Sequence, residues 1–292
     1  MKHNIKVTLI LIAIFLLAQV VGLITINNYH HKTAEGEIEY KDLPLNIERP
    51  EVEEKVSAIY ITIGILIGTG LLLLLIKFRS KTLTRLWFAL AVFIGLAIAF
   101  AAYIDERAAI VIAIILAIWK VFRPNIFVSN FVEIFVYGGI AAIFHQMLGI
   151  FSVVILLLLI AVYDMIAVWK IKHMITLAKF QTENKMFAGA MIPYKMPKFS
   201  VKSKKKQAKQ QRVAVRTAVL GGGDIAFPLL FSGAVLKVFG MTMAFVTTIT
   251  VTIALALLLL TAKKDKFYPA MPFLAVGCFL GLGIVYLLQV IL

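Results

Sequence analysis

Leu220-Gly221-Gly222-Gly223-Asp224-Ile225-Ala226-Phe227-Pro228 sets a carboxylic acid just inside an apolar run, behind three glycines and four residues ahead of a proline. Pro228 has no N–H, so the helical bond it would give to the carbonyl of residue 224 cannot form. An ionisable side chain at membrane depth is costly. It faces a partner or water and is a functional-site candidate by default. Whether Asp224 lies at such a depth is decided by the rest of the chain.

Hydrophobic residues make up 61% of the 292, and the mean hydropathy is +0.95. This is the composition of a polytopic membrane protein. Apolar runs occupy 7–26, 57–76, 86–103, 108–122, 126–148, 151–169, 217–236, 241–260 and 269–292. They predict an all-α integral membrane protein of nine transmembrane helices in a single domain, with 108–122 the short one. The first run follows Lys2 and Lys6; it is long for a signal peptide and lacks a small-x-small cleavage site, so it reads as a retained helix. The one cysteine, Cys278, excludes an internal disulfide framework and a cysteine metal cluster.

Charge alternates with the connections. Those before span one and after spans two, four, six and eight, with Lys120 at the end of span four counted alongside Arg123, carry a net +22, while the others carry −4. The positive-inside rule makes the basic side cytoplasmic, with the amino terminus there and the carboxyl terminus external. The acidic connection 27–56 is then external, and the strongly basic 170–216 is a largely flexible cytoplasmic loop. Its Lys198–Lys206 stretch has the composition of a nucleic-acid patch. Between two spans it reads instead as an orientation signal touching anionic headgroups, and no nucleic-acid partner is expected.

Glu133, Asp164 and Asp224 are the only acids inside the spans. Glu133 reads as a carboxylate at the interface or paired within the bundle. His145 and Gln146 read as interfacial, and the adjacent His30 and His31 make no metal site alone. Asp164 follows Tyr163 at the end of an apolar run, six residues before Lys170, and so lies about 9 Å inside the boundary. Asp224, eight residues after Arg216, lies about 12 Å inside by the same rise. The two acids thus share one depth on consecutive antiparallel spans. If they face each other they share one proton, giving a general acid and a general base in one place. The plainer reading is two separate acids satisfied by backbone or water. Near the same level, Pro269-Ala270-Met271-Pro272 opens the last span; prolines there fit a helix start, although Pro272 sits deeper than a first-turn proline needs to be.

These elements together resemble the presenilin and signal peptide peptidase family of intramembrane aspartyl proteases, most closely its microbial, archaeal-type presenilin homologues. Tyr163-Asp164 matches the YD motif, Gly221-Gly222-Gly223-Asp224 the GxGD motif and Pro269-Ala270-Met271 the PAL motif, with Met271 where leucine is usual. Methionine has similar volume and flexibility and is expected to be tolerated. Pro228 looks more like the peptidase branch, whereas the cytoplasmic loop between spans six and seven fits presenilin. The resemblance implies a presenilin-like fold and a catalytic pair, Asp164 and Asp224, hydrolysing peptide bonds within transmembrane-helix substrates in the bilayer. It implies no cofactor and no metal. It also implies a PAL segment that helps hold unwound substrate, with Gly221–Gly223 as the small, flexible approach to Asp224. Homo-oligomeric assembly is left open.

An ion-leak channel or transporter using intramembrane acids is the competing class. Its signature, matched broken spans in two related halves, is not visible. A non-catalytic membrane scaffold is the third. No His-Glu-x-x-His zinc motif occurs.

Overall fold

The computed structural model describes residues 5–32, 38–77, 81–171, 188–193, 217–262 and 268–291. Among these, nine α-helices form: α1 (Ile5–Asn28), α2 (Ser57–Lys77), α3 (Lys81–Ala101), α4 (Glu106–Phe122), α5 (Ile126–Phe144), α6 (Ile150–Met165), α7 (Gly222–Phe239), α8 (Met241–Thr261) and α9 (Met271–Ile291). Eight helical segments are long and apolar enough to cross a membrane; α4, with 17 residues, is the exception. The fold is an all-α membrane fold.

Bulky residues such as Leu9, Ile63, Ile115 and Leu287 point outward, as lipid-facing positions do. Inside, α1 is wrapped by α5, α7 and α8, with Leu11, Phe15, Ala18, Leu23 and Ile26 fully buried. Lipid tails are as apolar as leucine, so helices in a bilayer associate through close packing rather than through the hydrophobic effect. Glycines supply that closeness here. A Cβ on Gly139 of α5 would lie 1.9 Å from the Gly95 carbonyl oxygen of α3. On α9, Gly277 and Gly281 form a Gly-xxx-Gly face against α8; their added Cβ atoms would meet Val251 Cα at 3.0 Å and Thr247 Cα at 2.9 Å.

Two short antiparallel ladders complete the described structure. Strands β1 (His30–Lys32) and β2 (Ile38–Tyr40) pair within the acidic connection. Arg49 pins this segment by donating to the Lys41 carbonyl and lying over the Tyr29 and Tyr40 rings. His145 is not interfacial, as its sequence position suggested, but buried, with its ring 5.4 Å from that of His30. The β1–β2 ladder folds the connection back over the end of α5 and closes that site to solvent.

Strands β3 (Gly189–Pro193) and β4 (Thr217–Gly221) pair from Gly189↔Gly221 to Pro193↔Thr217. A five-residue strand thus lies within the 170–216 connection, which was expected to be largely flexible. One expectation is corrected: the span expected from Thr217 begins as a strand, with helix only from Gly222. Thr217, Ala218 and Val219 include β-branched residues suited to a ladder, and the glycines that follow have no side chain to extend a helix backward. Strand residues rise about 3.3 Å each, so the depth of Asp224 reckoned along a continuous helix does not apply. The remainder of the basic connection, including Lys198–Lys206, lies outside the described residues.

Candidate active site

Three helix ends meet at one end of the bundle. Asp164 is the penultimate residue of α6, and a π-helical turn, Ile166–Ile171, follows directly. Such turns are rare and gather at functional sites. The Asp164 side chain is buried and accepts from the backbone N–H of Met271 at 3.1 Å, with Ala270 contributing a second backbone bond. Met271 is the first residue of α9, where N–H groups have no partner within the helix. A carboxylate at a helix N-terminus satisfies such a donor and meets the positive end of the macrodipole. Pro269 and Met271 are buried and Ala270 partly so. Pro272 is the second residue of α9, hence an ordinary first-turn proline rather than one set deeper.

Asp224 occupies the third position of α7, counting Gly222 as the first and Gly221 as the N-cap. Its carboxylate takes a hydrogen bond from the Gly221 backbone N–H, which is the acid half of a capping box. Asp224 is half-buried and close enough to Asp164 for the two carboxylates to act on each other electrostatically. Tyr163, also half-buried, precedes Asp164.

None of Gly221, Gly222 and Gly223 has a positive φ, so backbone freedom is not what these positions require. Gly222 is demanded by contact. A Cβ there would lie 2.3 Å from the Tyr137 hydroxyl of α5, while its N–H donates to the Ala188 carbonyl at 3.1 Å. The ladder β3–β4 therefore runs straight into the turn that carries Asp224. On its other edge β3 is held by Asn130 of α5, whose amide both donates to and accepts from Met191, each at 3.0 Å.

These segments lie far apart in sequence, and comparison with known proteins places the chain that brings them together in a family. The family described as "Signal-peptide peptidase, presenilin aspartyl protease" matches residues 12–291. The chain belongs to that family. By membership and multi-span fold it is an intramembrane aspartyl protease, acting on membrane proteins in the bilayer. Its fold is similar to two crystal forms of a presenilin family intramembrane aspartate protease. The C222 form gives a TM-score of 0.62 at 18% identity, covering 94% of each chain. The P2 form gives 0.63 at 19%, covering 95% of this chain and 96% of the other. No curated protein sequence matches significantly.

Several residues of this presenilin-family protein escaped the sequence reading. Gln19, fully buried in α1, donates to the Ile225 carbonyl at 2.8 Å, within the turn that Pro228 disturbs. An amide in the middle of an otherwise apolar span was the available signal. Tyr137 and Asn130 gave none, since either could serve at an interface. Glu133 is paired within the bundle, with Lys120 of α4 and the Tyr137 hydroxyl. Lys120, whose charge was counted with the basic connection after span four, is 3% exposed. A cavity of about 310 Å³ lies between α2, α3 and α5, walled by residues including Trp87, Phe88, Val136 and Tyr137, and reaches Ala188.

Proposed function

We propose that Asp164 and Asp224 are the catalytic dyad of this intramembrane protease and that they cleave transmembrane segments presented as extended strands. The observation that supports this best is the convergence of Asp164, Asp224 and the Pro269–Met271 segment, with Asp164 bonded to Met271 at 3.1 Å. Two adjacent carboxylates hold one proton between them. The ionised one removes a proton from water as its oxygen attacks the scissile carbonyl carbon, and the protonated one donates to the carbonyl oxygen. Collapse of the resulting diol breaks the C–N bond and returns a proton to the leaving nitrogen. Backbone bonds from Met271 and Gly221 orient the two carboxylates before substrate arrives, which is where positioning lowers a barrier most.

A helical substrate hides its carbonyls in its own hydrogen bonds, so it must unwind first. Among the described residues the sheet β3–β4 has two strands, and Asn130 already occupies the β3 edge at Met191. That leaves the β4 edge, with Val219 exposed, for an added strand leading directly to Asp224. Pro269, Ala270 and Met271 fix Asp164 and flank the same cleft. Lateral approach between α2 and α3 fits the apolar cavity there and the slight burial of α2. The basic connections face the cytoplasm and meet anionic lipid rather than nucleic acid. Accessibility of a cysteine placed in 194–216 to a membrane-impermeant reagent from outside intact cells would contradict that orientation.

The decisive experiment incubates the purified protein with a fluorogenic transmembrane peptide and compares wild type with Asp164→Asn and Asp224→Asn. Each substitution is expected to lower cleavage by about 10³-fold or more. Turnover within tenfold of wild type in either variant sinks the dyad.

A further inference from the structure

A buried polar chain stands behind the glycine turn. Lys120 of α4, Glu133 and Tyr137 of α5 are 3%, 1% and 6% exposed. Lys120 Nζ is paired with Glu133 Oε1, the Tyr137 hydroxyl donates to Glu133 Oε2, and Lys120 lies over the Phe88 ring at 5.6 Å. Such a pair is expensive to desolvate and is often no more stable than apolar side chains of the same volume. Its presence is better explained by what it holds. The far end of the chain is the Tyr137 hydroxyl, which abuts Gly222, two residues before Asp224, and Tyr137 is within electrostatic range of Asp224 itself. Asn130, Glu133 and Tyr137 fall at i, i+3 and i+7 on α5, one face of a helix. This face grips β3 through Met191 at one end and the start of α7 at the other.

We infer that Tyr137 is a positioning residue for Asp224, with its ring and hydroxyl fixed by the Lys120–Glu133 pair. The contact sets where the first turn of α7 sits and so sets the separation of the two carboxylates. Tyr137 reaches no reacting atom. The inference rests on Asp224 being a catalytic residue, and the experiment separates the two.

The test measures kcat, KM and the pH profile of kcat for Tyr137→Phe, Gly222→Ala and the double variant, alongside Asp224→Asn. Tyr137→Phe keeps the ring but frees it from Glu133. Misplacing a catalytic group by an ångström costs up to about a hundredfold. The expected result is a fall in kcat of roughly ten- to a hundredfold with KM within about twofold and a displaced pH profile. Gly222→Ala is expected to be worse with Tyr137 present than in the Tyr137→Phe background, where the atom 2.3 Å from the new Cβ is gone. Such coupling between neighbours is what a double-mutant cycle isolates. Wild-type kcat and pH profile in Tyr137→Phe, or strictly additive losses, overturn the inference while an inactive Asp224→Asn leaves the dyad standing. Should Tyr137→Phe not yield folded protein, Gly222→Ala tests the contact from the other side: unchanged kcat there is equally fatal.

Discussion

Replacing Gly139 by alanine adds one methyl group, and its consequence can be worked out from the contact between α3 and α5. The new Cβ would sit 1.9 Å from the Gly95 carbonyl oxygen, 2.8 Å from its carbon and 3.0 Å from the Ala99 nitrogen. Carbon and carbonyl oxygen normally touch at about 3.3–3.6 Å, so the overlap is about 1.5 Å. All three neighbours are backbone, and no rotamer change relieves them. The helices must part, breaking the packing that holds them together in lipid. Overpacking of this kind costs about 1–3 kcal/mol. For a chain of this size that is a drop in Tm of roughly 2–5 °C. Gly64 of α2 is the control: nothing lies within 4 Å of its added Cβ. There alanine only removes glycine's conformational cost, with a gain of up to about 1 kcal/mol. Thermal unfolding of both variants in one detergent decides the matter. Equal Tm changes of the same sign would refute the claim that glycine at 139 serves close packing.

Two further outcomes are expected. Lys120→Met leaves Glu133 buried without its cation, at a cost of about 3–5 kcal/mol, whereas Lys120→Met with Glu133→Gln recovers most of that loss. Denaturant or thermal titrations of the single and double variants read the difference. Burial, together with the nearby charges of His30, Lys237 and Arg49, pushes the His145 imidazole down from 6.5 to about 3. The unfolded chain therefore binds the proton that the folded one refuses. The neutral-histidine contribution is complete above about pH 6.5 and is lost as pH falls from there toward about 3, by up to about 1.4 kcal/mol per unit. His145→Leu should flatten this acid limb of the stability profile; an unchanged limb assigns it to other groups.

Much of the protein was legible because bilayer physics is strict. Apolar length marks spans, and acids inside them are rare enough to stand out, which is how Asp164 and Asp224 were found. Span boundaries near the site were less legible. The stretch from Thr217 is apolar enough for a helix, but its pairing with residues 189–193 depends on a partner over twenty residues away in sequence. Gly222 shows the same limit. Sequence offered flexibility as its reason, while the structure gives the Tyr137 hydroxyl, a contact across 85 residues that no local pattern announces. His145 misled for a related reason: its burial is created by a loop folding over it.

The short helix α4 has a consequence outside the protein. At 1.5 Å per residue its 17 residues reach about 26 Å, whereas the 24 of α1 reach about 36 Å. A hydrocarbon layer averages about 30 Å, and each ångström of mismatch carries a modest elastic cost. Where α4 crosses that layer, the lipid beside it is expected to thin into a local dimple that the longer helices do not require. The protein's surroundings are not a passive solvent: thicker membranes oppose that dimple and thinner ones accommodate it.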